Sequence, residues 1–336
     1  MTSTHRQFSA GTVDDGARDT DFFVSDTFDL AGKKSGHGAV TWLPAPDYDM
    51  PQPDPWQPGS GGPVIALLDS AVAMGHPWLP PQSPSGSFVT DAKVTLGWPG
   101  PDLPKTGPED DHGPDLGSHL IHGTFIAGLI RQHAPKAGIL SLPVMNIQGK
   151  VDQADVISAL AWLTEHAEDH PVDIVLMAFG TPDLSHGDLA GLKDAMSQLG
   201  SRRSQVQFVA SAGNHGSDRT VYPAAFAADP DLLDKNLNVA SVGAVAVGTP
   251  TERARYSNYG PWVTKWRNGT NIISLAPLTT AMVDDTRAGS VPYTVTETGY
   301  GYAWWSGTSF AAALYAAEVA KRKSPAAAAP EPAAGS

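Results

Sequence analysis

Short, almost uninterrupted apolar runs recur between residues 61 and 323 and alternate with stretches of helical periodicity; no other feature constrains the fold as strongly. The runs are Val64-Ile65-Ala66-Leu67-Leu68, Gly138-Ile139-Leu140-Ser141-Leu142, Ile174-Val175-Leu176-Met177, Phe208-Val209-Ala210 and Val239-Ala240-Ser241-Val242. A half-exposed strand alternates apolar with polar residues, whereas a parallel strand buried on both faces is apolar throughout. Between the runs, Val156-Ile157, Leu160-Ala161 and Leu163 repeat at helical spacing behind Asp152 and Asp155, which mark a helix start. The pattern predicts an α/β fold, a doubly wound and mainly parallel sheet with helices on both faces, whose ligands sit beyond the carboxyl ends of the strands.

The flanks read differently. Residues 1–60 are polar, acidic and then proline-rich, and the stretch Pro51-Gln52-Pro53-Asp54-Pro55-Trp56-Gln57-Pro58 cannot supply a regular helix or a central strand. They form an N-terminal extension and linker, a partly ordered arm for which inhibition or partner docking is the functional alternative. Residues 61–323 form the folded domain, and 324–336 a disordered Ala/Pro tail. A formal net charge of -13, with no cluster of Lys and Arg interleaved with aromatics, opposes a nucleic-acid partner. The absence of cysteine excludes disulfides, thiolate metal sites and a cysteine nucleophile. Met1 to Thr20 lack the basic start and apolar run of a secretory signal, and no apolar stretch reaches the roughly 20 residues of a membrane span. The expectation is a cytoplasmic protein with no membrane span, or a secreted one if the chain is a trimmed mature form. Oligomeric state is not legible here.

Four residues suit chemistry by type and position. Asp69 ends the first apolar run, where a parallel sheet exposes a carboxylate at its ligand edge. His122 precedes Gly123-Thr124 and an apolar helical pattern, which puts an imidazole near a helix start; His112 and His119 lack that context and read as loop or surface residues. Ser309 lies between a glycine-containing turn and an alanine-rich helix ending in Lys321-Arg322-Lys323, close to free N–H groups and the positive end of the helix dipole. Asn214 follows Ser211-Ala212-Gly213 at a strand end, where its amide can donate to an oxyanion. Taken singly, each has an ordinary structural explanation as a turn, cap or core residue.

Taken together, the motifs resemble one family. Val64 to Ser70 with Gly75-His76-Pro77, His122-Gly123-Thr124, Ala212-Gly213-Asn214, Tyr222-Pro223-Ala224, Tyr256-Ser257-Asn258-Tyr259-Gly260 and Gly307-Thr308-Ser309-Phe310-Ala311-Ala312 are similar to the subtilisin-like serine proteases, in their chain order. The resemblance implies a subtilisin-like fold and a serine endopeptidase with a triad. Asp69 would orient the imidazole, His122 would take the Ser309 proton and return it to the leaving amine, and Ser309 would form the acyl-enzyme. The Asn214 side chain and the Ser309 backbone N–H map onto the family's oxyanion hole. His122 and Asn214 separate the chain from the related sedolisins, which use an acidic pair and an Asp at those places.

A peptide or protein substrate would add as a strand beside Met177-Ala178-Phe179-Gly180. Ala178, Phe179, Gly180, Ser211, Ala212 and Gly213 would wall the pocket for the residue before the cut; whether Phe179 narrows that pocket or turns into the sheet stays open. Ala71, Ala178 and Ala313 replace a Gly, a Ser and a Pro common in the family, which hints at a narrow substrate range, and Ala313 predicts an unkinked helix. No cofactor is required. Many relatives carry structural calcium, but Glu109-Asp110-Asp111-His112 with Asp115 has no ordered ligand spacing and reads as a solvated loop, so no metal site is assigned. Without a recognisable inhibitory prodomain before residue 61, the expectation is an intracellular enzyme processing a dedicated peptide. Two other activities fit the same residues: a catalytically silent binding module on the same fold, and a peptidyl transferase in which an amine intercepts the acyl-enzyme.

Overall fold

A computed structural model describes residues 21–23, 27–28, 37–38, 41–43, 53, 61–74, 78–80, 88–101, 116–145, 149–182, 189–277 and 300–324. Gly75-His76-Pro77, the acidic loop with His112 and Asp115, and the tail beyond residue 324 lie outside the described residues. Through the first half of the chain run β1 (Asp21–Phe23), β2 (Thr27–Phe28), β3 (His37–Gly38), β4 (Thr41–Leu43), β5 (Val64–Asp69), β6 (Val89–Asp91), α1 (Ala92–Leu96), α2 (Leu116–His133), β7 (Gly138–Pro143), β8 (Lys150–Asp152) and α3 (Gln153–Glu165). There follow β9 (Ile174–Met177), β10 (Thr181–Pro182), α4 (Ala190–Arg202), β11 (Gln207–Ser211), β12 (Val221–Tyr222), α5 (Pro230–Asp234), β13 (Asn238–Ala246), β14 (Thr249–Arg253), β15 (Lys265–Asn268), β16 (Ile272–Pro277), β17 (Tyr300–Trp305) and α6 (Thr308–Lys323).

The main sheet has eight strands in the order β14-β13-β11-β9-β5-β7-β6, with β15 also paired to β13. Within it β6, β7, β5, β9, β11, β13 and β15 are parallel, and β14 is antiparallel to β13. Because β5 has β7 on one side and β9 on the other, the strand order reverses at β5. That reversal opens a crevice at the carboxyl ends of the strands, and Asp69 is the last residue of β5.

Side chains of a strand alternate between faces, and the apolar runs serve two cores. Ile65, Leu67, Leu176, Val209 and Val242 share one with Phe125 and Ile126 of α2 and Phe310 and Ala313 of α6. Ala66, Leu68, Val175, Met177, Phe208 and Ala210 share the other with Leu160 and Leu163 of α3 and Leu192 and Met196 of α4. Asp152 caps α3, accepting from the Ala154 N–H at 2.8 Å. Helix α6 runs unbroken through Ala313, and Lys321, Arg322 and Lys323 in its last turn complement its dipole.

Two strands from the N-terminal sixty residues join elements of the main domain: β4 lies antiparallel to β17, and β1 antiparallel to β8.

The structure corrects one expectation about α2. The helix begins at Leu116, so His122 lies well inside it, and the backbone of His119 is helical, not a loop. Gly123 follows His122 for a different reason than a helix start. A Cβ there would meet the Ser70 carbonyl oxygen at 2.3 Å, so only glycine lets α2 approach the end of β5 this closely.

Candidate active site

Asp69 and His122 are both fully buried, and the imidazole Nδ1 lies 2.8 and 3.0 Å from the two carboxylate oxygens. An ionised carboxylate only accepts, so Nδ1 carries the hydrogen of this contact and the neutral ring keeps its lone pair on Nε2. The Ser70 N–H also donates to Asp69, at 2.7 Å, and Ser70 Oγ accepts from the Gly123 N–H at 2.9 Å. The second of these bonds ties the end of β5 to α2 beside the pair. Trp305 meets the imidazole edge-on with ring centroids 5.5 Å apart, and Phe310 lies at 5.7 Å, so aromatic rings fix the plane of the base. Phe310 is the residue after Ser309, which brings the serine end of α6 to the histidine.

Ser309 is the second residue of α6 and is 2 % exposed. Its N–H belongs to the first turn, whose amide hydrogens have no partner within the helix. Its hydroxyl donates to the Ala178 carbonyl at 2.9 Å, joining α6 to the segment after β9. Asn214 is buried against the same helix start. Its Oδ1 accepts from both the N–H and the hydroxyl of Thr308, each at 2.8 Å, while Thr308 Oγ1 accepts from the Gly213 N–H at 3.0 Å. Two donors on one oxygen settle which end of the amide is which, and Nδ2 is the end turned away from Thr308.

Thr308 lies within the serine motif, where residue type alone signals no role. The same holds for Asn258 within Tyr256-Ser257-Asn258-Tyr259-Gly260. It is 1 % exposed; its Oδ1 accepts from the His215 and Ser217 N–H groups at 3.0 and 3.1 Å, and its Nδ2 donates to the Ala212 carbonyl at 2.9 Å. It therefore clamps the loop that carries Asn214.

Beside Ser309 opens a cleft lined by Ala178, Phe179, Gly180, Pro182, Ser211, Gly213, His215 and Val221. Five of the six residues expected to wall a substrate pocket are among them. Ala212 is placed elsewhere: it is fully buried, with its N–H on the Val242 carbonyl at 2.9 Å. Phe179 is 1 % exposed and belongs to the core under α3 and α4, so it turns inward and floors the cleft. Pro182, His215 and Val221 carried no sequence signal, because the antiparallel pair β10–β12 and the Asn258 clamp that bring them here join distant segments. Burial pushes the His215 imidazole below its ordinary value of 6.5, and Arg219 pushes it further the same way. At neutral pH the cleft thus holds an uncharged imidazole among mostly apolar walls. Among the described residues there is no group of three or more His, Cys, Asp or Glu side chains fit to hold a metal, and no helix long and apolar enough to cross a membrane.

Known proteins are similar to this chain in sequence and in fold. The family model described as the subtilase family matches residues 60–333. The serine protease AprX of Bacillus subtilis is 30% identical over 246 residues, covering 63% of this chain and 54% of its own length. A thermophilic serine proteinase of Bacillus sp. (strain AK1) is 28% identical over 264 residues, covering 75% of this chain and 50% of its own. The chain spans about half the length of these curated relatives. The protease domain of PatA superposes with a TM-score of 0.54 at 20% identity, covering 80% of this chain and 82% of that one. A cold-adapted subtilisin-like serine proteinase superposes with a TM-score of 0.50 at 21% identity, covering 79% and 77%. The mainly parallel sheet, the polar residues gathered at the carboxyl ends of its strands and the family match over residues 60–333 lead to one assignment: the chain belongs to the subtilase family.

Proposed function

We propose that the protein is a serine endopeptidase that cleaves peptide bonds through an acyl-enzyme on Ser309. The observation that carries this reading is the buried Asp69–His122 contact at the point where strand order reverses, facing a helix N-terminus that bears Ser309 and an orientation-locked Asn214.

In the first step the Ser309 hydroxyl leaves the Ala178 carbonyl, gives its proton to His122 Nε2 and bonds to the carbonyl carbon of the peptide. The negative charge passes to the carbonyl oxygen, which accepts from the Ser309 N–H and Asn214 Nδ2. Asp69 remains ionised and offsets the imidazolium charge. The proton on Nε2 then goes to the departing amine, and the C–N bond breaks. Water, deprotonated by the same imidazole, attacks the ester and restores Ser309. The cleft, floored by Phe179 and lined by Pro182 and Val221, supports a restricted choice of side chain before the cut. Such restriction suits processing of a dedicated peptide or protein better than general digestion; PagA, a prenylagaramide maturation protease, shares the fold at a TM-score of 0.50.

Mass-spectrometric mapping of new termini in a proteome-derived peptide library tests this reading. Cleavage by the wild type that vanishes in Ser309→Ala is the expected result. Termini that persist in the variant would exclude Ser309 as the nucleophile.

A further inference from the structure

Residues 254–259, between β14 and β15, are bonded to both elements that bear the proposed oxyanion donors. To the loop that carries Asn214 the bonds run along the main chain. The Gly216 N–H donates to the Tyr256 carbonyl at 2.7 Å, the Asn258 N–H to the Gly213 carbonyl at 2.9 Å and the Tyr259 N–H to the Ser217 carbonyl at 2.9 Å. The fit is close: Gly216 has φ +60°, and a Cβ there would meet the Arg255 carbonyl oxygen at 2.7 Å. Arg253 stiffens residues 254–259 from one side, donating to the Ser257 carbonyl at 2.7 Å while its guanidinium lies 4.2 Å from the centroid of the Tyr259 ring.

The side chain of Tyr256 reaches the other element. Its hydroxyl lies 2.9 Å from Thr270 Oγ1, and the Thr270 hydroxyl itself donates to the Val245 carbonyl at 3.2 Å, so the phenol is the donor to Thr270. A main-chain hydrogen bond also joins the phenol to Gly307. Gly307 is the N-cap of α6, and its N–H donates at 2.8 Å to the carbonyl of Gly269, the residue before Thr270. Burial pushes the Tyr256 phenol above its ordinary value, so it keeps its hydrogen. One residue therefore holds the Asn214 loop by its carbonyl and the start of the Ser309 helix by its phenol.

We propose that Tyr256 is a positioning residue that fixes the spacing between Asn214 Nδ2 and the Ser309 N–H. The direct tie between the two elements, from Thr308 to Asn214 Oδ1, settles which way the amide points. The Tyr256 link settles how far apart the two main chains stand. Charge reaches the oxyanion only in the transition state, so a lapse in that spacing falls on kcat and leaves substrate binding nearly untouched. This inference rests on the endopeptidase reading for its kinetic consequence, and on hydrogen bonds alone for the geometry.

Tyr256→Phe in the full chain tests it, because it removes the phenol link and keeps the ring and the carbonyl. Rates on a peptide from the terminus survey are referred to active sites counted with a fluorophosphonate, so a loss of folded protein does not register. The expected result is a kcat about tenfold lower with KM within about twofold. A peptide aldehyde of the same sequence, which places an oxyanion on Ser309, should bind about tenfold more weakly. A tyrosine with a merely structural part would lower the melting temperature and leave kcat and aldehyde affinity unchanged, a result that overturns the inference. Thr270→Val cuts the same link at its other partner, and the double variant should lose less than the product of the two single losses; fully multiplicative losses overturn it as well. Selective 15N-asparagine labelling gives a readout without turnover. The Asn214 side-chain amide signals should shift in Tyr256→Phe while those of Asn238, at the start of β13, hold still, each pair being assigned by substitution to alanine. Asn214 signals that do not move overturn the inference. Should no form cleave peptides or take the aldehyde while those signals move, the endopeptidase reading fails and the geometric role of Tyr256 stands.

Discussion

The Thr308 hydroxyl accepts from the Gly213 N–H and donates to Asn214 Oδ1, so one oxygen holds the loop after β11 and orients the amide beside Ser309. Valine has nearly the shape of threonine and neither of these bonds. Thr308→Val leaves the Gly213 N–H buried without this acceptor, at a cost of about 1–3 kcal/mol. The Thr308 N–H still holds Asn214 Oδ1 at 2.8 Å, so the amide loosens without being released. We expect kcat to fall about tenfold with KM within about twofold, since the loss falls on charge that develops only in the transition state. Steady-state kinetics on one defined peptide check this; an unchanged kcat contradicts the role given to Thr308. Asp69, His122, Asn214 and Ser309 were legible in sequence because residue type, chain order and local motif coincide at each. Thr308 and Asn258 were not, because their roles lie in which atom donates to which across 94 and 46 positions of sequence.

At the scale of elements, the contact of α2 with the end of β5 is the tightest constraint near the site. Gly123→Ala isolates it. Alanine in a helix interior gains about 0.8–1 kcal/mol over glycine in propensity, while forcing a methyl into a packed interior costs about 1–3 kcal/mol. With the new Cβ 2.3 Å from a backbone oxygen, which cannot rotate away, the clash dominates. The variant should therefore melt at a lower temperature and lose at least about tenfold in kcat, as α2 carries His122 away from Asp69. A variant more stable than the wild type with full activity would show that the approach is slack. The central strands were readable because burial on both faces leaves a continuous apolar run. The start of α2 was misplaced because glycine there answers to Ser70, 53 residues away, and not to helix punctuation. The three-residue strands β1 and β4 were missed because they are too short to show a period, and their pairing with β8 and β17 depends on the assembled domain.

Across the whole molecule, a doubly wound sheet brings the ends of β5, β9 and β11, three adjacent strands, to one edge, and α2 and α6 deliver the imidazole and the hydroxyl to it. Asp69, His122, Asn214 and Ser309 are buried, and each is held by hydrogen bonds to its neighbours, the arrangement in which stabilising a developing charge costs least reorganisation during reaction. The central claim is that this edge activates Ser309 as a nucleophile. Intact-mass analysis after exposure to a fluorophosphonate tests it most directly, with the adduct site located by fragmentation. The account predicts one adduct per chain on Ser309, slowed at least about 100-fold in His122→Ala and absent in Ser309→Ala; labelling of Ser309→Ala at the wild-type rate, or an adduct on another residue of the wild type, would contradict it.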